Sequence, residues 1–189
     1  MSDESARLPD RRSVRMKGFD YGHPCACFLT ICTNNRKSLF GRMAGSSVAL
    51  NKFGMIVGDS WLEIPRHFPH ASLSAHIVMP NHLHGIVTIH CRARHAVPLR
   101  SSDGPCVSTP RVFGEPEAGA ISTIVRSFKS AVSKRVHQIT GELRIPVWQR
   151  GYYEHVIRNQ DDFMKTVDYI RLNPIRWIHK RARVELDGL

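Results

Sequence analysis

The sequence has no apolar run approaching the roughly 18 residues that a membrane span requires. Its first residues are polar, acidic and basic where a secretory leader wants an apolar stretch. The expectation is therefore a cytoplasmic protein with no membrane partner. Cysteine is scarce and odd in number: Cys25, Cys27, Cys32, Cys91 and Cys106 make five, which argues against a disulfide framework. Cys-x-Cys at 25 and 27, inside an apolar run and without a second pair at ligand spacing, fits buried thiols better than a zinc site. Acidic residues are few. Against 16 Asp plus Glu stand 27 Lys plus Arg, a formal charge of +11 before any of 11 His is counted, and this balance points to a polyanionic partner.

What is present is ordinary for one globular domain: 189 residues, 42% hydrophobic and 23% charged, which excludes wholesale disorder and a fibrous repeat. The positive charge is uneven, because residues 119–150 hold six Lys and Arg against one acid. Residues 1–20 read as a basic flexible arm, 21–180 as the single domain with a Pro-rich surface loop at 92–118, and 181–189 as a tail. Within the domain, Cys25 to Thr33 is β-prone and ends at an Asn-Asn turn signal. Residues 48–66 carry apolar side chains at helical intervals, weakened by Gly54 and Gly58. Leu73–Met79 and Leu83–Cys91 predict a hairpin across Pro80-Asn81. Residues 121–139 predict an amphipathic helix whose polar face carries Arg126, Lys129, Lys134 and His137, with Arg135 misplaced in the apolar arc and in need of a partner. Short strands are expected at 145–148 and 155–158, then a helix from Asp161 to Asn173, capped by Asn159 or Asp161 and ended by Pro174. The order β-α-β-β-α-β plus a further helix predicts an α+β, ferredoxin-like (RRM-like) sandwich with an antiparallel central sheet.

His82 and His84 flank Leu83 on a predicted strand, where a period of two turns both side chains to one face. Such a pair suits a shared ion or phosphate, although in a chain with 11 His it also arises by chance. Two imidazoles leave a divalent cation short of ligands. The last predicted helix offers a third group, since Tyr169 and Asn173 lie one turn apart. Asp162, Lys165 and Thr166 share their face, whereas Phe163, Val167 and Ile170 form the apolar side. A tyrosine on the polar face suits a nucleophile, and a half-buried Tyr at the helix margin is the plainer alternative.

Four segments in this order, HIVMPNHLHGIV (76–87), ISTIVRSFKS (121–130), WQRGYYEHVIRN (148–159) and DYIRLNP (168–174), resemble the REP-associated tyrosine transposases, of the single-tyrosine HUH (His-hydrophobic-His) nuclease superfamily. The resemblance runs from about Cys25 to Trp177. It implies that His82, His84 and Asn173 hold Mg²⁺ or Mn²⁺ and that Tyr169, on the additional C-terminal helix, is the nucleophile. The implied activity is cleavage and strand transfer of single-stranded, hairpin-forming DNA of the repetitive extragenic palindrome kind through a 5′-phosphotyrosine, that is, DNA transposition, with the protein on the nucleoid when bound. Arg126, Lys129, Lys134 and His137 then become candidate backbone contacts, Lys165 a possible aid in activating Tyr169, and Trp148, Tyr152 and Tyr153 stacking or core residues. A non-catalytic module binding single-stranded nucleic acid, and a phosphoesterase using the His pair alone, are the competing classes. Monomer and homodimer both stay open.

Overall fold

In the computed structural model the described residues are 25–90, 121–142 and 145–186, with side chains to 179. The expected basic arm and Pro-rich loop lie outside them, as do Cys91 and Cys106. The chain runs β1 (Cys25–Cys32), a 3-10 turn (Asn34–Arg36), β2 (Gly41–Ala44), β3 (Ser47–Leu50), α1 (Lys52–Leu62), α2 (Ile64–His67), β4 (Ala71–Met79), β5 (His82–Ile89), α3 (Ile121–Thr140), β6 (Tyr153–Ile157), α4 (Gln160–Arg171) and α5 (Asn173–Leu186). Four strands form one sheet in the order β4-β5-β1-β6, antiparallel throughout, and β2 and β3 make a separate hairpin. This is the expected α+β ferredoxin-like arrangement. No described helix is long and apolar enough to cross a membrane.

Strand alternation divides the sheet into two unlike faces. Cys27, Leu29 and Ile31 of β1 and Leu83 and Val87 of β5 point into the main core with Trp61 of α1 and Ile124, Val125, Phe128, Val132 and Val136 of α3. Phe28, Ile86, Ala26, Ala75, Ile77 and Ile157 face the other way, against Phe163, Val167 and Ile170 of α4. The second face is only partly covered, and the candidate site occupies its open end. Trp61, fully buried, lies directly on Gly85, where a Cβ would overlap the indole. Glycine at 85 thus lets a bulky ring meet the backbone between the two faces. Arg135 finds the partners its misfit position demands, donating to Ser60 Oγ at 2.9 Å and to Glu63 Oε2 at 2.7 Å at the end of α1. Cys25 and Cys27 are buried free thiols, as their apolar setting suggests.

Three boundaries differ from the sequence reading. The helix expected at 48–66 yields Ser47–Leu50 to β3 and starts at Lys52, because Asn51 caps it: its Oδ1 accepts from Phe53 N and Gly54 N at 2.9 and 3.0 Å. It also breaks at Glu63, where Pro65 in the first turn of α2 starts a new helix. The strand expected at 145–148 is a single bridge between Thr33 and Trp148, since Pro146 has no N–H to give a ladder. Pro174 opens α5 rather than closing the chain's last helix, and α5 runs to Leu186, through most of the expected tail.

Gly85→Ala is expected to lower unfolding stability by about 1–3 kcal/mol through overpacking against Trp61. Urea denaturation checks this, and Trp61→Phe in the Gly85→Ala background should recover part of the loss.

Candidate active site

Residues 82 and 84 of β5 share the open face with Phe28, Thr30 and Cys32 of β1 and Tyr153 and His155 of β6, and pairing aligns Tyr153, Thr30 and His84 in one row across the sheet. His84 is 4% exposed. The two histidine Nε2 atoms lie 3.0 Å apart. Each ring is held from behind, His82 Nδ1 by Asn81 Oδ1 at 2.7 Å and His84 Nδ1 by Thr30 Oγ1 at 2.9 Å.

The Asn81 contact fixes a tautomer. Asn81 Nδ2 donates to the Arg36 carbonyl at 2.9 Å, so its oxygen is the atom facing His82. That oxygen only accepts, so His82 Nδ1 carries the proton and His82 Nε2 is left as a lone pair directed at His84. Thr30 either donates or accepts. His84 can therefore place its proton on Nε2 and bond to His82, or on Nδ1 and offer a second lone pair beside the first. Burial, reinforced by Arg36, pushes the His82 imidazole down to about 4, with an Asn173 side-chain hydrogen bond acting the other way. Burial and the neighbouring His82 push His84 down to about 3. Both rings are neutral near pH 7, the state a metal ligand needs. Among the described residues no group of three or more His, Cys, Asp or Glu could hold a metal ion, so any cation here depends on this imidazole pair and the Asn173 amide. Two imidazole nitrogens and one amide oxygen would leave a divalent cation positions open to water or phosphate, and imidazole ligation suits Mn²⁺ better than Mg²⁺.

Helices α4 and α5 bring the remaining groups. Asn159 caps α4, its Oδ1 accepting from Asp162 N at 2.9 Å. Nearly three turns on from the cap, Tyr169 stands over the open face, 37% exposed. Its ring lies edge-on to His84 at 5.3 Å and to Phe28 at 5.8 Å between centroids. Phe28 also stacks on His84 at 5.2 Å and meets Tyr153 at 6.3 Å, so one buried ring supports three site residues. The first turns of α5 add Asn173, 7% exposed, beside His82, and Trp177, whose ring stacks on His82 at 5.6 Å. The structure thus gathers His82, His84, Tyr169 and Asn173 at one place.

These residues line a cleft of about 1090 Å³. Arg36, Arg150, Lys165 and Arg176 also line it, and its carboxylate, Asp162, is already engaged. Asp162 accepts from the Arg158 N–H at 3.1 Å and pairs with His155 Nε2 at 3.0 Å, contacts that hold its carboxyl below the usual carboxylate range. The cleft consequently presents cations to a ligand.

The sequence-predicted backbone contacts lie elsewhere. Helix α3 packs on the opposite face of the sheet from the histidines. Lys129 Nζ, its pKa lowered by burial, donates to the Gln149 and Gly151 carbonyls at 2.7 and 3.0 Å. His137 Nε2 donates to the Ile145 carbonyl at 2.8 Å. Both are committed to the 145–151 segment, while Arg126 and Lys134 remain exposed. Trp148 is a packing residue, donating to the Lys129 carbonyl at 3.1 Å and lying against Phe40 and Phe128. Tyr152 is partly buried against the main core, and Tyr153 is exposed at the cleft. Sequence reading missed Arg36, Arg150 and Arg176. Arg150 fell within the basic 119–150 stretch, whereas nothing in the sequence pointed Arg36 or Arg176 to the site. Asn35 and Arg36 both have φ near +50°, a strained pair that carries Arg36 to the cleft and its carbonyl to Asn81.

No protein-family model matches the chain. It is 35% identical over 185 residues, 96% of its own length and 97% of the other's, to a protein of Haemophilus influenzae described as uncharacterized. Among solved structures it resembles a REP-associated tyrosine transposase bound to a REP hairpin, with a TM-score of 0.54, 21% identity, and coverage of 87% of this chain and 73% of that one.

Because His82 and His84 titrate lower in the folded chain than the ordinary 6.5, the unfolded chain binds more protons as pH falls below 6.5, and folding stability drops toward pH 4. Urea midpoints measured from pH 7 to 4 should fall for the wild type and fall less steeply for His82→Gln/His84→Gln.

Proposed function

The chain belongs to one family with the Haemophilus influenzae protein and has the fold of the REP-associated tyrosine transposase, and we propose that it is a metal-dependent, single-stranded DNA endonuclease and strand transferase with a transposase-like activity. The observation that carries the reading is the meeting of two neutral imidazoles and an amide beneath an accessible tyrosine, in a cleft rimmed by cations. Tyr169 is the nucleophile. Its Oη attacks a backbone phosphorus in line, the bond to the 3′ oxygen breaks, and the phenol proton passes through solvent to the leaving oxygen. The products are a 5′-phosphotyrosine and a free 3′-OH. Attack by another 3′-OH on the phosphotyrosine reverses the step and joins strands with no external energy source.

When bound at His82, His84 and Asn173, Mg²⁺ or Mn²⁺ supplies Lewis-acid polarisation of a phosphodiester oxygen. The chain's own residues do the rest. Asn81 holds the His82 lone pair inward, and Thr30, by turning to accept from His84 Nδ1, would let the His84 lone pair face inward beside it. Phe28 and His84 bound the swing of the Tyr169 ring. Arg36, Arg150 and Lys165 neutralise strand phosphates, giving grip without sequence choice. Exposed Arg126 and Lys134 add to the field that attracts the strand, and Tyr153 is placed to stack on an unpaired base. The substrate proposed is a folded single strand, a hairpin of the kind the transposase neighbour carries.

Incubation with end-labelled hairpin DNA and Mn²⁺ or Mg²⁺ tests this. A protein–DNA adduct surviving denaturation is expected from the wild type, reduced by roughly three orders of magnitude or more in Tyr169→Phe. Binding with no adduct under any metal, or equal cleavage by Tyr169→Phe, would sink the reading, the first result being what a non-catalytic binding module gives. Removing the metal with a chelator should abolish the adduct while retention of DNA on a filter persists.

A further inference from the structure

The guanidinium of Arg176 lies over the Tyr169 ring, its central carbon 5.1 Å from the ring centroid. Arg176 also lines the cleft and is itself exposed. Its backbone N–H donates to the Leu172 carbonyl at 3.0 Å, and among the described residues its side chain has no hydrogen bond or ion pair besides this ring contact. A guanidinium over a ring still has N–H groups directed away from it, and a pair of them matches two phosphate oxygens at once, which a lysine ammonium cannot do.

We propose that Arg176 is a positioning residue that couples Tyr169 to its target: the guanidinium lies over the ring and holds it, and its remaining N–H groups take the phosphate that Tyr169 attacks. This rests on the reading of Tyr169 as nucleophile. Three observations converge on it. The Tyr169 ring is already bounded edge-on by Phe28 and His84, and the guanidinium provides a further contact on its face. Arg176 stands in the turn of α5 that also holds Asn173 and Trp177 against His82, so one element touches both the imidazole pair and, through Arg176, the tyrosine ring carried by α4. The cleft offers other cations for affinity, which frees Arg176 for orientation. A cation over a phenol face at an exposed site biases ring orientation only about two- to fivefold. Engagement of the phosphate by the same group adds to this, because misplacing a reacting atom by about 1 Å costs up to roughly a hundredfold.

Single-turnover adduct formation at saturating hairpin DNA, beside equilibrium binding of the same DNA, separates the alternatives. Arg176→Ala should slow the saturated rate by about tenfold to a hundredfold, while the dissociation constant rises less than about threefold because other cations remain. Arg176→Lys should bind as the wild type does yet stay slow, since it keeps the charge and loses the planar fork. Arg171→Ala, an exposed helix cation away from the cleft, should match the wild type and controls for net charge. An Arg176→Ala protein that loses affinity but keeps the saturated rate, or an Arg176→Lys protein with the wild-type rate, overturns the proposal. A second readout needs no DNA: the Arg176 side-chain proton resonances should be shifted upfield by the ring and return to ordinary values in Tyr169→Leu. An upfield shift in a wild type that forms no adduct leaves the ring contact supported and rejects the nuclease reading. Adduct formation with no ring shift supports the nuclease and rejects the coupling.

Discussion

The site depends on one short contact, the 3.0 Å approach of His82 Nε2 to His84 Nε2. Two imidazoles this close, one almost wholly buried, cannot both be charged, and the Asn81 oxygen behind His82 removes the freedom to turn that ring's proton inward. In the protein alone, the proton between the rings must come from His84, with Thr30 donating to its other nitrogen. A cation in that place would make the opposite tautomer better, with Thr30 rotating to accept. Thr30 is the adaptable member and Asn81 the rigid one, a division that follows from hydroxyl and amide chemistry. Burial that would be unfavourable for charged rings thus keeps a pair of neutral donors together.

That contact is a product of packing at several removes. The strand period turns residues 82 and 84 to one side, and it is the main core on the other side that fixes β5 in register through Leu83, Val87 and the Trp61 ring on Gly85. On the open side, α4 covers part of the sheet through Phe163, Val167 and Ile170 and stops. The break after Leu172 then matters as much as either helix. Because Pro174 starts a new helix there, Asn173, Arg176 and Trp177 fall on the site instead of continuing away from it.

What was legible in the sequence followed from periodicity. The His pair, the Tyr169 face and the need of Arg135 for a partner come from a period of two or 3.6, and the succession of elements pointed to the antiparallel sandwich. What was hidden depends on how elements meet. A helical wheel places Lys129 and His137 on the polar face of α3, but it does not show that residues 145–151 fold back and use both as anchors for three carbonyls. Pro174 reads as a stop because proline both ends and opens helices, and choosing between them needs the residues after it to be helical. Arg36 reaches the cleft through two successive left-handed residues, a conformation that neither Arg nor Asn announces. Asn51 marks a helix start in the sequence, yet it sat inside a longer apolar pattern that concealed it.

The +11 charge takes a different meaning once its parts are placed. Counted along the chain, residues 119–150 hold six Lys and Arg against one acid, and α3, which carries four of those six, is on the far side of the sheet from the histidines. At physiological salt the Debye length is about 8 Å, and a sheet with its packed side chains lies between Arg126 or Lys134 and the cleft. Those residues act on an approaching polyanion through the protein's overall field, which governs encounter. Arg36, Arg150, Lys165 and Arg176 line a cleft whose acid is paired with His155, and in the proposed function they would meet a strand at contact distance. The number of cations is therefore a poor guide to where a strand is held. The better guide is which cations have been left without a protein oxygen to bond, and in α3 two of the four expected contacts already have one.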